Sequence, residues 1–213
     1  MKFRDELHLQ RWDDHRFYHQ DRINQTCHLV SASCFITSYL LLLINPAAAA
    51  IVGWTLAMVV RQIGHFFFES RSFDHLNQAS HEHKEMIKVG YNLSKKAILL
   101  CVWAGIPILL FYTSITFFGL LEPTDSFRQL LTNTGLVWLW LGVIAVMFRV
   151  VQLFKSSGVQ SGIVWMTKIL TDPFHDIKIY HKDAELHLQN VVLENAGVSD
   201  DVDYNTYLAK YLE

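Results

Sequence analysis

What limits this chain most is the clustering of its apolar residues into four runs, at about 27–44, 47–68, 97–119 and 135–154. A helix needs roughly twenty apolar residues to cross a bilayer, and a spanning segment must satisfy its own backbone hydrogen bonds. The sequence therefore predicts an all-α fold, an integral membrane four-helix bundle. Charged residues make up only 18% of the chain and hydrophobic ones 51%, against roughly 25% charged in soluble proteins. The second run is the most informative, because it closes on Arg61-Gln62-Ile63-Gly64-His65-Phe66-Phe67-Phe68-Glu69. On a helix Arg61, His65 and Glu69 follow one another at i, i+4 and i+8, one polar stripe beside an apolar wall. Ionisable groups at the end of a membrane span are costly unless they pair, reach the interface or bind something, so they are functional candidates.

Between the runs the chain carries turn and charge signals. Asn45-Pro46 predicts a tight hairpin between the first two spans, since proline biases the preceding residue out of the helical region. Pro107 predicts a kink in the third span, and Glu122-Pro123-Thr124-Asp125 opens a short loop before the fourth. The four alanines at 47–50 read as membrane-helix filler, and Trp103, Trp138 and Trp140 as interface anchors or, for Trp103, bundle packing. Lys2, Arg4, Arg11, Arg16 and Arg22 precede the first run, and Arg71, Lys84, Lys88, Lys95 and Lys96 lie in the polar connection 69–96. More basic residues follow from Arg149 onward, whereas the two short turns hold almost none. By the positive-inside rule both termini and the 69–96 loop face the cytoplasm.

The sequence divides into a four-span membrane domain, 1–154, with a histidine-rich cytoplasmic face, and a membrane-apposed, partly helical C-terminal tail, 155–213. In the tail, Gly162–Leu170 is apolar but too short to span and is expected along the membrane surface. Thr171-Asp172-Pro173-Phe174 is expected to break it and start a new helix, with Asp172 as cap and Pro173 in the first turn. Residues from about Asp203 to Leu212 read as a small amphipathic helix. The charged N-terminus shows no cleavable signal, so the first span is expected to remain in the mature protein. A net charge of −2 gives no basic excess for nucleic acid. Cys27, Cys34 and Cys101 form no disulfide framework and no zinc spacing.

With this topology all eleven histidines fall on the cytoplasmic side. His28 marks the inward end of the first span and His65 that of the second, two helices that the hairpin makes neighbours. Imidazole is a good ligand for iron, zinc and copper, and histidine–carboxylate sets with open positions suit non-haem ferrous iron. His15 and His19, at i and i+4, can close on one ion; His65 and Glu69 offer the same spacing with a carboxylate, or Glu69 orients a ligand imidazole. His81 and His83 reach one site only from a loop backbone, because alternate positions diverge on a helix. His175 and His181 are candidates for a lid, or Asp172 and Asp176 simply anchor the tail. Arg61 and Arg149 read as partners of a carboxylate or phosphate at the interface, or of Glu69, since guanidinium does not ligate metals.

The stretch His15–His19, then Asn24 and His28, then Gln62-Ile63-Gly64-His65 and Glu69 after a helical hairpin, resembles a family of small four-span membrane proteins. Their fungal member is an iron-dependent 2-hydroxy fatty acid dioxygenase that shortens 2-hydroxypalmitate by one carbon. The likeness covers residues 12–70 and, in layout only, the later spans. It implies His19, His28 and His65, with His15, as metal ligands; Fe2+ as cofactor; and a lipid or fatty acid as substrate, its head at the metal and its tail in the bilayer. Arg61 would help hold the head group beside the catalytic pair His65 and Glu69. After Glu69 the chain departs from the family's proline-containing turn with Ser70-Arg71-Ser72-Phe73-Asp74, as in a divergent bacterial branch seated in the inner membrane rather than a reticulum.

Two other readings compete. A membrane histidine-box di-iron lipid hydroxylase or desaturase also has four spans, and His15-x-x-x-His19 fits its first box, but no two histidines are adjacent anywhere. A non-enzymatic scaffold or transport subunit would carry its histidines incidentally or as pH sensors, though a transporter would be expected to place polar groups at mid-membrane and to show inverted repeats or broken helices.

Overall fold

A computed structural model of the chain describes residues 1–18, 21–69, 73, 80–83, 93–113 and 115–195, with side chains for all of these except 12–18, 93–96 and 182–195. It is all-helical over the described residues. In chain order come α1 (Phe3–Tyr18), α2 (Arg22–Leu42), α3 (Pro46–Phe67), α4 (Leu93–Tyr112), α5 (Phe127–Ser157) and α6 (Val159–Asn195). Helices α2, α3 and α5 are long and apolar enough to cross a membrane.

Helix α2 begins five residues before the expected span because Asp21 caps it, accepting from the backbone N–H groups of Ile23 at 2.8 Å and Asn24 at 3.0 Å. That extra turn brings Asn24 and Gln25 onto the same buried face as His28 and Ser31. The Asn45-Pro46 hairpin forms as expected: Asn45 accepts from the Ala48 N–H at 3.0 Å, and Pro46 opens α3, where a missing N–H costs nothing. The alanines after it are more than filler. Ala47, Ala49 and Ala50 are buried, and the Ala47 backbone lies against Gly135 of α5, so small side chains set how closely these helices approach.

A feature the periodicity does not announce is a π-helical turn at Val52–Ala57 inside α3. The extra residue in such a turn rotates every later side chain around the helix axis. Trp54, within it, donates from Nε1 to the Trp138 carbonyl at 3.2 Å.

The third run was expected to span 97–119, but α4 stops at Tyr112 and its apolar part, Ala97–Tyr112, is shorter than the three spanning candidates. The chain then turns through Phe117, Phe118 and Gly119, all at positive φ, which is uncommon for residues with bulky side chains. Phe117 packs against the buried cluster of Leu110, Leu121 and Val137, and this contact fixes the turn. Helix α5 starts eight residues before the expected 135, capped by Ser126, which accepts from the Gln129 N–H at 3.1 Å.

The tail departs furthest from expectation. Instead of a break at Thr171–Phe174, α6 runs unbroken from Val159 to Asn195 with Pro173 inside it, so Asp172 is not a cap. Pro173 is buried, and packing outweighs its helix penalty. Val164, Lys168, Asp172, Asp176 and Tyr180 recur every four residues on one side of α6. This stripe faces α1 and α2: Tyr39 donates to the Leu170 carbonyl at 3.2 Å, and Arg11 reaches Thr171 at 2.6 Å and Asp172 at 3.4 Å. At the start of α6, Gln160 donates to Glu6 at 2.7 Å. Residues 203–212 lie outside the described residues.

Candidate functional site

Helices α2, α3 and α6 meet around His28, whose side chain is fully buried. The His28 and His65 rings stand edge to face, with centroids 4.8 Å apart and planes at 84°. Close packing of α2 on α3 makes this possible, and Gly64 makes the packing possible. A Cβ there would run into the Asn24 carboxamide oxygen and lie 3.1 Å from Cβ of Cys27. The glycine of the Gln-Ile-Gly-His stretch therefore has a physical reason: it lets the neighbouring histidine reach the face of α2.

Glu69 lies just beyond the end of α3 and bonds Nδ1 of His65 at 2.5 Å. Asn24 also holds this carboxylate, donating from Nδ2 to the same Oε1 at 3.3 Å. With Nδ1 carrying the proton toward Glu69, Nε2 of His65 is left as the lone-pair nitrogen, the state in which imidazole ligates a metal. On the other side of His28, Asp176 of α6 places Oδ2 3.6 Å from Nδ1 and accepts from Arg61 Nη1 at 3.2 Å. Arg61 is thus seen pairing with Asp176; the expected alternative partner, Glu69, is held by His65 and Asn24. The Tyr180 ring adds an edge contact to His28 at 6.2 Å. One turn away, Lys168 lies 3.6 Å from Asp172. Burial pushes the Asp172 carboxyl up, with Lys168 the chief opposing influence.

Of the residues singled out in the sequence, His28, His65, Glu69 and Arg61 are brought together. The side chains of His15 and His19 lie outside the described residues. His81 and His83 sit on a single helical turn at 81–83, and His83 is exposed. They do not complete a ligand cluster with the pair, for among the described residues no three histidine, cysteine or acidic side chains are arranged to hold one metal ion. His181 is turned back on its own helix, Nδ1 bonding the Ile177 carbonyl at 2.8 Å. The pKa of His175 is lowered to about 4 by burial and by Arg11. Arg149 pairs with Gln152 on α5 at 2.7 Å.

Asp176 and Tyr180 were not recognised as part of the centre. Their signal was the four-residue repeat from Val164 to Tyr180, hidden because Pro173 reads as a helix break. The donor chemistry of the described centre, two imidazoles with a carboxylate behind one of them, fits ferrous iron in kind. Its count does not close on the described residues alone, and the additional ligands that the resemblance implies are His15 and His19.

Comparison with known proteins adds one finding. The family model described as Mpo1-like, 2-hydroxy-palmitic acid dioxygenase Mpo1-like, matches residues 8–80. No curated protein and no solved structure matches the chain. The matched segment contains α1 from residue 8 onward and all of α2 and α3, and with them Arg61, His65, Glu69, His28 and the His15–His19 pair. It excludes α4, α5 and α6, and so Asp176 and Tyr180. Through residues 8–80, the stretch that builds two of the three walls around His28, this chain is similar to the Mpo1-like family.

Proposed function

We propose that this protein is an iron-dependent membrane dioxygenase that removes one carbon from 2-hydroxy fatty acids. The observation that carries the reading is the meeting of His28 and His65, both within the family-matched segment, with Glu69 fixing the tautomer of His65. In this reading His28 and His65 hold Fe2+ together with His19 and His15. Bound ferrous iron would supply the activation of dioxygen that amino acid side chains cannot.

The chain's own residues do the rest. Glu69 holds the Nδ1 side of the His65 ring and Asn24 holds Glu69, so that Nε2 would be the ligating nitrogen. Asp176 holds Arg61 at the rim, where the remaining guanidinium N–H groups are available to the carboxylate of a lipid head group. Helix α6 packs Asp176 and Tyr180 against His28, which is fully buried from water. The site would face the cytoplasm, as the distribution of basic residues implies, in the inner membrane of a bacterium.

The test is turnover. Purified protein reconstituted anaerobically with ferrous iron is expected to consume oxygen when given a long-chain 2-hydroxy fatty acid and to release a product one carbon shorter. Iron-loaded protein that leaves the acid intact would refute the substrate and keep the metal.

A further inference from the structure

A cleft of about 600 Å³ lies between α3, α4 and α5. From α3 it is lined by Trp54, Met58, Gln62 and Phe66, one ridge of i, i+4 steps. Trp103 of α4 and Trp138 of α5 form its floor, their rings stacked with centroids 5.0 Å apart and planes at 17°. Two of the three indole N–H groups bond backbone rather than point inward, Trp54 to the Trp138 carbonyl and Trp138 to the Trp103 carbonyl at 3.1 Å, while the buried Nε1 of Trp103 has no partner among the described residues. The π-helical turn of α3 carries Trp54 into this position.

The lining is apolar except at Gln62. Its Oε1 is buried and has no hydrogen-bond partner among the described residues. Gln62 neighbours Phe66 at i+4 and His65 at i+3, so the apolar ridge and the polar stripe lie side by side on α3. Helices α3 and α5 are both spanning candidates, so in a membrane the cleft would lie at the depth of the hydrocarbon. At roughly 30 Å³ per heavy atom, the share a water molecule takes in the liquid, its volume matches about twenty such atoms. An elongated, apolar occupant with a single polar end fits this shape.

We infer that the cleft between α3, α4 and α5 binds the alkyl chain of a long-chain 2-hydroxy fatty acid, with its head end beside Gln62, where the 2-hydroxyl can donate to Oε1, and its tail on the Trp103–Trp138 floor. The occupant's identity rests on the proposed substrate. The site itself rests on the cleft and on its adjacency to His65.

Three of the lining residues are tryptophans, so binding can be read without turnover. Protein in detergent micelles is titrated with a long-chain 2-hydroxy fatty acid brominated at mid-chain, which quenches indole fluorescence on contact. Saturable quenching is expected, displaced by the unbrominated acid and reduced in Trp54→Phe, with Trp103 and Trp138 still lining the cleft. Ala145→Phe and Val59→Phe, which narrow the cleft from two helices, should each weaken binding about tenfold or more by overpacking. The titration is read in protein without added metal, so it does not depend on iron, and Arg149→Gln, outside the cleft, should leave the quenching unchanged. Failure of the iron reading with quenching retained therefore leaves this inference standing. Quenching that never saturates, or that neither narrowing substitution alters in folded protein, would overturn it. So would saturable displacement by phospholipid but not by fatty acid, or a change of oligomeric state in Ala145→Phe with unchanged quenching, which would make the cleft a subunit interface.

Discussion

His28 shows how burial decides what a residue can do. A fully buried imidazole among helices must find polar company or lower the stability of the fold, and this one has Asp176 on one side and the His65 ring on the other. The approach depends on Gly64. Gly64→Ala should lower stability by about 1–3 kcal/mol, as overpacking typically does, and should push Asn24 off Glu69. A thermal melt in detergent measures the first effect. Unchanged stability would mean that α2 and α3 are not in the contact described. This much of the centre was legible in the sequence, because His28 and His65 flank a hairpin too short to let their helices separate. Asp176 was not, because it is 111 positions beyond His65 and only tertiary packing brings it back.

Among the elements, α6 carries the largest difference between expectation and structure. Local rules give a break at Asp172-Pro173, and tertiary contacts override them: Arg11 on Thr171 and Asp172, Tyr39 on Leu170, Asp176 on Arg61. The helix also carries a pH response. Burial, then Arg11, lowers the His175 pKa from 6.5 to about 4, so the folded protein prefers the neutral ring. Because the folded value lies below the unfolded one, this contribution to stability is complete above about pH 6.5. It is lost as pH falls toward 4 and changes no further below that. His175→Asn should flatten the wild-type fall in stability between pH 6.5 and 4, measured by denaturation at a series of pH values. An identical slope in both proteins would place His175 in solvent rather than between α1 and α6.

For the whole molecule, the apolar runs made the all-helical class and three of its long helices readable, since hydrocarbon length and backbone satisfaction leave few choices. The end of α4 was not readable, because the turn at Phe117–Gly119 is held by packing on Leu110, Leu121 and Val137 rather than by a local breaker. Orientation rests on basic residues, and reporters fused at Gly119 and at the C-terminus should report opposite sides of the membrane; the same side for both would refute it. The family match and the paired histidines bear on one claim, that the inward ends of α2 and α3 hold a ferrous ion. Its most direct test is the iron content of anaerobically reconstituted wild type beside His65→Ala, with Glu69→Gln as a third sample. About one iron per wild-type chain is expected, none above background in His65→Ala, and an affinity about 10–100-fold weaker in Glu69→Gln, as for loss of a group that orients a ligand. Two irons per chain would favour the di-iron hydroxylase reading, and equal iron in wild type and His65→Ala would contradict the account.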